Sequence, residues 1–284
     1  MSAAITLEGL GFVYPDGKRV LNAVDLTVGP GETVAIVGQN GSGKSTLVRH
    51  LNGLLRPTAG RLLIDGRDTA ATPVAALAAR VGLLFQDPDR QLFAERIREE
   101  VEFGPRNLGM RDEALRRAVD EALAAVGMEA LVDANPFLLG QSRRKLVALA
   151  SILSMRTPIV VLDEPTTGQD AIGVGRLRAI VRGLAAEGRT TIAVSHDLRF
   201  VAETFDRVVV LRSGSIVLDG TPAEVFGPQS VAVLAATNLE PPPAARVGIH
   251  LGLGSTPTEA SLVARLAARA APRNDDIRST PPTE

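Results

Sequence analysis

The stretch Gly38-Gln39-Asn40-Gly41-Ser42-Gly43-Lys44-Ser45-Thr46 fits the phosphate-binding pattern G-x-x-x-x-G-K-[ST]. An apolar run, Thr33–Val37, precedes it, and a run with helical spacing, Lys44–Leu54, follows it. The glycines let consecutive backbone N–H groups converge on an anion, and the helix adds its positive N-terminal end. A glycine-rich turn can match the pattern by chance, but here strand, loop and helix occur together. The stretch therefore predicts a phosphate site in an α/β domain.

The same pattern predicts how a nucleotide is held in this loop. We expect Lys44 to reach the β- and γ-phosphates of ATP, and the Ser45 hydroxyl to bind Mg²⁺. The other residues predicted to contact the nucleotide here are Gly38, Asn40, Gly41, Ser42, Gly43 and Thr46. ATP and Mg²⁺ are thus the predicted ligands.

A second apolar run, Ile159–Leu162, ends in Asp163-Glu164-Pro165. Because ligands bind at the C-terminal ends of strands in α/β sheets, both carboxylates are expected beside the phosphates. Asp163 is the predicted Mg²⁺ ligand, acting mainly through the water shell of the metal. Glu164 is the predicted general base that orients and deprotonates the attacking water. An ordinary acid pair at a strand end is the alternative, and the phosphate loop makes it the weaker one.

Three isolated side chains complete the candidate site. His196 follows the run Thr191–Val194, where an imidazole can contact a γ-phosphate and sense its loss. Gln86 follows the run Val81–Phe85, and its uncharged amide suits a group that must contact Mg²⁺ and water and then release them. Tyr14, the only tyrosine, precedes a Pro-Asp-Gly turn and offers a ring for adenine. A structural histidine and a packed loop aromatic are the alternatives for His196 and Tyr14.

The chain as a whole alternates β-branched runs with Ala-, Leu- and Arg-rich helical runs, as in an α/β core. The predicted strands are Ile5–Leu10 and Val20–Val28 in an antiparallel piece, and Thr33–Val37, Val81–Phe85, Ile159–Leu162, Thr191–Val194 and Arg207–Leu211 in the core. The predicted helices are Lys44–Leu54, Arg96–Phe103, Asp112–Val126, Arg143–Met155, Ala171–Ala186 and Thr258–Ala268. We expect a nucleotide-binding domain over 1–227, with a helical insertion at about 90–155, and a small C-terminal extension over 228–270. The polar, Pro-rich tail 271–284 is expected to be disordered.

Composition excludes several other classes of protein. The 284 residues include 31 Lys and Arg against 32 Asp and Glu, and this balance gives no electrostatic reason to expect nucleic acid as a partner. Cysteine is absent, which excludes a disulfide framework and a cysteine nucleophile and suits a reducing cytoplasm. The N-terminus lacks the pattern of a signal peptide, and no segment approaches the roughly 20 apolar residues of a spanning helix. A role at a membrane would therefore require a partner.

The order of these motifs resembles that of ABC-type ATPases over roughly residues 5–225. The matching elements are Tyr14, the phosphate loop, Gln86, a helical insert, Leu162-Asp163-Glu164-Pro165 and Ser195-His196-Asp197. The resemblance implies that Tyr14 stacks on adenine, Gln86 is the Q-loop glutamine, Glu164 is the catalytic carboxylate and His196 is the switch histidine. Thr167-Gly168-Gln169-Asp170 lies where the family has its D-loop, whose Asp170 helps to couple the two sites of a dimer.

A narrower resemblance points to the energy-coupling factor subfamily, which powers uptake of vitamins or transition-metal ions such as cobalt and nickel. The segments that resemble it run from Phe85 to Phe93, from Glu102 to Gly109, and from Thr237 to Leu253. The resemblance implies a transmembrane transporter component, a separate membrane protein that binds the cargo, and a second ATPase subunit. It places the chain at the cytoplasmic face of the cell membrane as a peripheral subunit. The cargo itself is not encoded here.

One motif departs from the family. Leu139-Gly140-Gln141-Ser142-Arg143 stands where the family has its signature Leu-Ser-Gly-Gly-Gln. In the family this loop closes over the γ-phosphate held by the opposite subunit, so Gly140 removes a donor and Gln141 restricts the backbone. Ser142 and Arg143, at a helix start, remain candidates to contact a phosphate. The hypothesis is that this chain offers its partner a weakened signature, which favours a heterodimer with an intact second ATPase over a homodimer.

The segment from Gln86 to Gly109 joins the predicted γ-phosphate sensor to the helical insert, and we expect it to carry motion to a membrane partner. Its candidate contacts are Gln91, Phe93 and Phe103, for which internal packing is the alternative.

Two other functions compete with transport. A soluble ABC ATPase acting on DNA or ribosomes usually has a coiled coil, a second cassette or a basic arm, none of which is visible. An ATP-binding regulatory subunit with weak hydrolysis is disfavoured by Glu164 and His196 and favoured by the altered signature. A P-loop kinase would need an acceptor-binding lid, which the sequence lacks.

Overall fold

Two β-sheets form the framework of the protein, whose computed structural model describes residues 3–270. The strands are β1 (Ile5–Val13), β2 (Arg19–Val28), β3 (Thr33–Val37), β4 (Ala59–Ile64), β5 (Arg67–Asp68), β6 (Val81–Leu84), β7 (Ile159–Asp163), β8 (Thr190–Val194), β9 (Arg207–Arg212) and β10 (Ser215–Gly220). One sheet is antiparallel, with the order β2-β1-β4-β5, and the larger one has the order β10-β9-β3-β8-β7-β6. In the larger sheet β6, β7, β8, β3 and β9 run parallel, and β10 pairs antiparallel with β9.

Helices pack against the larger sheet, and most of them lie in the segments that connect its strands. They are α1 (Lys44–Leu51), α2 (Val74–Ala78), α3 (Ile97–Asn107), α4 (Asp112–Val126), α5 (Gln141–Leu153), α6 (Ala171–Ala186), α7 (Leu198–Thr204), α8 (Pro222–Val225), α9 (Val231–Ala236), α10 (Pro243–His250) and α11 (Glu259–Ala270). The predicted fold class is confirmed: a mixed sheet with an antiparallel piece, a helical insertion between β6 and β7, and helices after β10. Within residues 3–270, no helix is both long and apolar enough to cross a membrane.

The larger sheet separates two hydrophobic cores, and its strands alternate between them because successive side chains point to opposite faces. Val34 and Ile36 of β3 join the core that lies against the antiparallel sheet and α1. Ala35 and Val37 of the same strand join the core built from α3 to α7. All five residues of β3 are buried, as expected for a central strand covered on both faces. This burial fixes the register of the strand that leads into the phosphate loop.

Two helices of the insertion, α3 and α5, are joined at a proline that lies inside α3. Pro105 lies inside α3, where it has no N–H to donate to the carbonyl oxygen of Val101 one turn earlier. The Ser154 hydroxyl, just after α5, donates to that oxygen at 2.8 Å. Because a side chain replaces the missing backbone donor, α3 continues through Pro105 to Asn107 instead of ending at the predicted Phe103.

Other boundaries also differ from those predicted. Helix α1 ends at Leu51 and not at Leu54, since Gly53 has a left-handed backbone with φ of +78°. Helix α5 begins at Gln141, two residues before the predicted start. The domain boundaries at 227 and 270 stay predictions, and the tail 271–284 lies outside the described residues.

Candidate functional site

The phosphate loop connects β3 to α1, and glycine is required at its first position. A Cβ atom on Gly38 would lie 2.2 Å from the backbone oxygen of Leu211 in β9, a contact that no side chain can make. Gly43, which precedes the first turn of α1, has φ of +106°, and its Cβ would lie 2.9 Å from Leu21. The loop is thus pressed against β2 and β9, and its backbone conformation is available only to glycine.

Lys44 begins α1 and folds back over the loop. Its Nζ atom donates hydrogen bonds to the carbonyl oxygens of Gly38 at 2.7 Å and Gln39 at 3.0 Å. Burial lowers the pKa of this ammonium, while the nearby carboxyl groups of Glu164 and Asp163 oppose that shift. A buried ammonium that has only carbonyl oxygens as direct partners is well placed to exchange them for phosphate oxygens.

Asp163 ends β7 beside the phosphate loop. Its carboxyl group is buried, and the Ser45 hydroxyl donates to its Oδ1 at 3.5 Å. Burial raises the pKa of the Asp163 carboxyl, and the neighbouring Glu164 adds to the rise, whereas Arg49, Ser45 and Lys145 oppose it. A buried carboxylate destabilises the fold, and β7 places this one where the sequence predicts it, within reach of the Ser45 hydroxyl.

Glu164 follows in a left-handed backbone conformation, with φ of +51°. This conformation is uncommon for residues other than glycine and is found mostly where a structure constrains it. The Oε2 atom of Glu164 accepts a hydrogen bond from the backbone N–H of His196 at 3.3 Å and lies 2.7 Å from its ring Nδ1. The His196 side chain is 66% exposed and that of Glu164 only 10%, so the imidazole covers the carboxylate from the solvent side.

Tyr14 is connected to the phosphate loop through α1. Its hydroxyl lies 3.2 Å from the hydroxyl of Thr46, and its ring packs edge-on against Phe12 with 4.8 Å between centroids. Phe12 also contacts the buried ring of His50, whose Nδ1 lies 2.7 Å from the Thr46 carbonyl oxygen. These contacts fix Tyr14 at the edge of the site with part of its ring accessible.

A cavity of about 250 Å³ brings most of the predicted residues together. Its wall includes Tyr14, Asn40, Gly41, Gly43, Lys44, Ser45, Thr46, Gln86 and Glu164. Three other predicted residues hydrogen-bond to residues of this wall: Gly38 to Lys44, Asp163 to Ser45 and His196 to Glu164. Ser42 lies in the loop between the wall residues Gly41 and Gly43. Lys18 and Val20, which the sequence did not single out, also line the cavity. The sequence-predicted site is therefore one continuous region of the molecule.

The residues of this cavity fit a magnesium nucleotide. Lys44 lies in the cavity wall, and its ammonium, bonded to two main-chain oxygens, is a donor that can turn to phosphate oxygens. Ser45 and Asp163 together offer two oxygen ligands, and Mg²⁺ commonly takes one or two protein oxygens along with water and phosphate oxygens. The site therefore has donors for phosphate and ligands for Mg²⁺.

The altered signature makes contacts within its own chain. Gly140 precedes α5, and Ser142 in the first turn exchanges two hydrogen bonds of 3.1 Å with the Gln169 side chain. Asp170 caps α6 by accepting the N–H of Gly173 at 2.7 Å. The start of α5 is therefore joined directly to the segment predicted as the D-loop.

Two residues make contacts that the sequence did not indicate. Gln91 is half-buried, and its predicted contact with a membrane partner stays a prediction. Its amide accepts the N–H of Phe85 at 3.2 Å and donates to Ala148 O at 2.9 Å. Lys145 was not singled out, yet it is buried beside Glu164. The sequence does indicate that Lys145 is buried, because it precedes the buried Leu149 of α5 by four residues and this spacing puts both on one helix face.

The fold and this cavity define a P-loop protein that acts on a nucleotide, and comparison with known proteins gives its family. Residues 21–167 match the family described as ABC transporter. The energy-coupling factor transporter ATP-binding protein EcfA of Methanocaldococcus jannaschii is 42% identical over 84% of this chain and 85% of its own length. The chain belongs to the ABC transporter family of ATP-binding proteins, and the ATPase class predicted from its motifs is confirmed.

Two further relatives resemble the chain over most of its length. The cobalt import ATP-binding protein CbiO of Rhodobacter capsulatus is 40% identical over 85% of this chain and 86% of that relative. The structure of cbiO1 from Clostridium perfringens, part of the ABC transporter complex cbiONQ, superposes with a TM-score of 0.73. It is 34% identical, over 87% of this chain and 99% of that one. Some relatives are longer: one that matches 87% of this chain is covered over only 40% of its own length.

Proposed function

We propose that this chain binds Mg²⁺-ATP in the 250 Å³ cavity and hydrolyses it to energise an importer of the energy-coupling factor type. The observation that carries the proposal is the convergence of the phosphate loop, Gln86 and Glu164 on this one cavity. The relatives named for cobalt import and for energy-coupling factor transport support the choice of importer. A vitamin or a transition-metal ion is the proposed cargo.

In this proposal the phosphate loop binds and orients the triphosphate. Lys44 exchanges its two carbonyl partners for the β- and γ-phosphate oxygens, and the loop N–H groups and the start of α1 add positive potential. Ser45, Asp163 and Gln86 would hold Mg²⁺, which would supply positive charge to neutralise the charge that develops on the phosphates. Tyr14 presents its ring to adenine.

Glu164 then acts on the attacking water. His196 engages Oε2 of Glu164, which leaves Oε1 to accept the water proton. As the water oxygen bonds to the γ-phosphorus, the bond from that phosphorus to the β–γ bridging oxygen breaks, and this oxygen leaves with ADP. The exposed His196 imidazole is the group that can exchange Glu164 for the γ-phosphate. Gln86, on the other side of the cavity, senses the same phosphate and begins the segment that leads to the helical insertion.

A Glu164→Gln variant tests the catalytic assignment. Loss of a general base lowers turnover by about 10²–10⁴-fold, so ATP hydrolysis should fall by that factor. ATP binding, measured by equilibrium titration, should stay within about threefold because the phosphate contacts are unchanged. Glu129→Gln, at an exposed position outside the cavity, is the matched control. Hydrolysis that persists in Glu164→Gln would contradict the assignment.

We propose that the membrane partner contacts an exposed aromatic pair on the helical insertion. Phe93 and Phe103 are 56% and 50% exposed, and their rings pack edge-on with 4.6 Å between centroids. Phe93 follows Gln86 by seven residues, and its N–H donates to buried Glu100 at 2.9 Å. An aromatic pair fixed to α3 and left open to solvent suits contact with an apolar partner surface.

Replacing both phenylalanines tests this surface. In a Phe93→Ser, Phe103→Ser double variant, we expect ATP binding to be retained and co-purification with the membrane partner to be lost. Val217→Ser, which removes an exposed apolar side chain from β10, is the control. Normal co-purification and normal coupled transport in the double variant would show that the partner binds elsewhere.

The remaining partners are also part of the proposal. We expect a second ATPase subunit, with a heterodimer favoured over a homodimer, and a separate membrane protein that recognises the cargo. The chain would then lie at the cytoplasmic face of the cell membrane without crossing it. Extraction of the tagged chain from native membranes, followed by identification of the co-purified proteins, distinguishes these arrangements. A complex that contains no membrane protein would exclude the importer.

A further inference from the structure

Lys145 is a buried cation for which the scheme above has no use. It lies on the second turn of α5 and is 3% exposed. Its Nζ donates to two main-chain oxygens, those of Glu164 at 2.5 Å and of Thr167 at 3.4 Å. Burial lowers the pKa of this ammonium, and the attraction of Glu164, Asp163 and Asp87 opposes the shift. A buried lysine is costly, so its hydrogen bonds to this turn call for an explanation.

The turn that Lys145 holds has a constrained backbone. Glu164 adopts a left-handed conformation, and both of its main-chain groups are bonded to other elements. Its N–H donates to Val194 O in β8 at 2.8 Å, and its carbonyl oxygen accepts from Lys145 in α5. The direction of the Glu164 side chain depends on this backbone conformation, so the two bonds together aim the carboxylate at the cavity.

The same helix holds the other end of the turn. Ser142 and Gln169 exchange their two hydrogen bonds five residues beyond Glu164. Arg144 lies between Ser142 and Lys145 on α5, and its Nε is 3.2 Å from Oδ1 of Asp89 in the segment that follows Gln86. The first two turns of α5 thus contact the acidic turn, the predicted D-loop and the segment after Gln86.

We propose that Lys145 is a positioning residue for ATP hydrolysis, which fixes the main chain of Glu164 and thereby the direction of its carboxylate. The proposal rests on the proposed role of Glu164 as general base. Because α5 begins in the altered signature, Lys145 also connects that loop to the catalytic turn of its own subunit. Displacement of the signature therefore displaces Glu164 directly.

A Lys145→Met variant removes the ammonium and keeps the length and apolar stem of the side chain. It is measured in the complex that the tagged full-length chain forms in native membranes. The share of turnover due to this chain is the difference between wild type and Glu164→Gln. We expect Lys145→Met to lower that share by about 10- to 100-fold, the effect of a misplaced catalytic group, with the KM for ATP within about twofold. Lys145→Arg, which keeps the charge and the donors, should restore part of it.

Arg189→Met is the matched control for loss of a buried cation. Arg189 is 13% exposed, and its Nε donates to Thr157 O at 2.8 Å, just before β7 and at the opposite end of that strand from Glu164. This variant should lose stability, yet its turnover per bound ATP should equal that of wild type. Equal turnover in Lys145→Met and wild type would overturn the proposal.

A double variant separates positioning from a general structural defect. If Lys145 acts through Glu164, adding Lys145→Met to Glu164→Gln should not lower the residual turnover further. A further loss in the double variant would overturn the positioning role. If Glu164→Gln alone keeps full turnover, the proposed role of Glu164 fails, and this outcome is distinct from a failure of Lys145.

Discussion

Asp163 shows how a functional residue can reduce the stability of the fold that holds it. Its carboxyl group is buried next to Glu164, and burial raises its pKa above the ordinary value of 3.8. The ionised form is therefore the penalised one in the folded protein. This penalty is fully present above the raised pKa and disappears as the pH falls toward 3.8. Residues with such a cost are common where binding or catalysis requires them.

We expect Asp163→Asn to stabilise the nucleotide-free protein at pH 8 and to abolish hydrolysis. The melting temperature should rise by roughly 2–4 °C for each kcal/mol of penalty removed. The gain should shrink as the pH is lowered, because Asp163 in the wild type then becomes protonated. Melting curves of both proteins from pH 8 down toward 3.8 measure this. Asp133→Asn at an exposed position is the control. A gain that grows as the pH falls would contradict the account.

The role of a single residue was predictable where a local sequence motif includes it. It was not predictable where the role depends on contacts with segments that are distant in the sequence. The phosphate loop, Asp163 and Glu164 follow from a local motif at strand ends, so their common location needed no long-range information. Gln91 was expected to contact a partner. Its amide hydrogen-bonds to Phe85, just after β6, and to α5, which the sequence does not place nearby. The interaction of Lys145 with Glu164 depends in the same way on two segments 19 residues apart in the chain.

At the scale of elements, the Pro105 site links two helices through one hydroxyl group. Val101 is fully buried, so its carbonyl oxygen would lack a partner without Ser154. We expect Ser154→Ala to lower the free energy of unfolding by about 1–3 kcal/mol, the cost of a buried unsatisfied acceptor. Urea denaturation of the nucleotide-free protein measures this change.

Pro105→Ala provides the second half of that experiment. Alanine at 105 restores an N–H that can donate to Val101 within α3, so Ser154→Ala should cost less in this background. A coupling energy of about 1 kcal/mol is expected from the four proteins of the cycle. Equal costs in both backgrounds would mean that Ser154 stabilises the helices in another way.

The elements with strong periodicity were predicted well, and the short polar ones were missed. Strands β3, β7, β8 and β9 are apolar on both faces, and α4 has a regular amphipathic pattern, so each was found with boundaries within about a residue. Strand β4 begins with exposed residues, Ala59-Gly60-Arg61, and β10 alternates partly exposed positions. Their existence depends on pairing with β1 and β9, which no local pattern reveals.

At the scale of the whole molecule, the altered signature predicts unequal sites in a dimer. Changing Gly140-Gln141-Ser142-Arg143 to Ser-Gly-Gly-Gln restores the family pattern and places a hydroxyl at the start of α5, where no side chain caps the helix. Turnover of the complex should rise about tenfold, the effect of one charge-assisted hydrogen bond to phosphate. The control variant carries the same changes at 141, 142 and 143 but has alanine at 140, so it lacks that hydroxyl. If the turnover of the restored variant does not exceed that of wild type, the hypothesis of a weakened signature is wrong.

The position of β3 in the middle of the larger sheet has a consequence for how the protein is made. The strand and its loop are synthesised before their neighbours β8 and β9, which come roughly 170 residues later and include the Leu211 oxygen beside Gly38. At translation rates of about 5–20 residues per second, this interval lasts roughly 10 to 35 s. Throughout it, the nascent chain carries the complete phosphate-binding sequence without the strands that shape it. We therefore expect a fragment that ends before β9 to contain the motif but to lack the Leu211 contact that shapes the loop at Gly38.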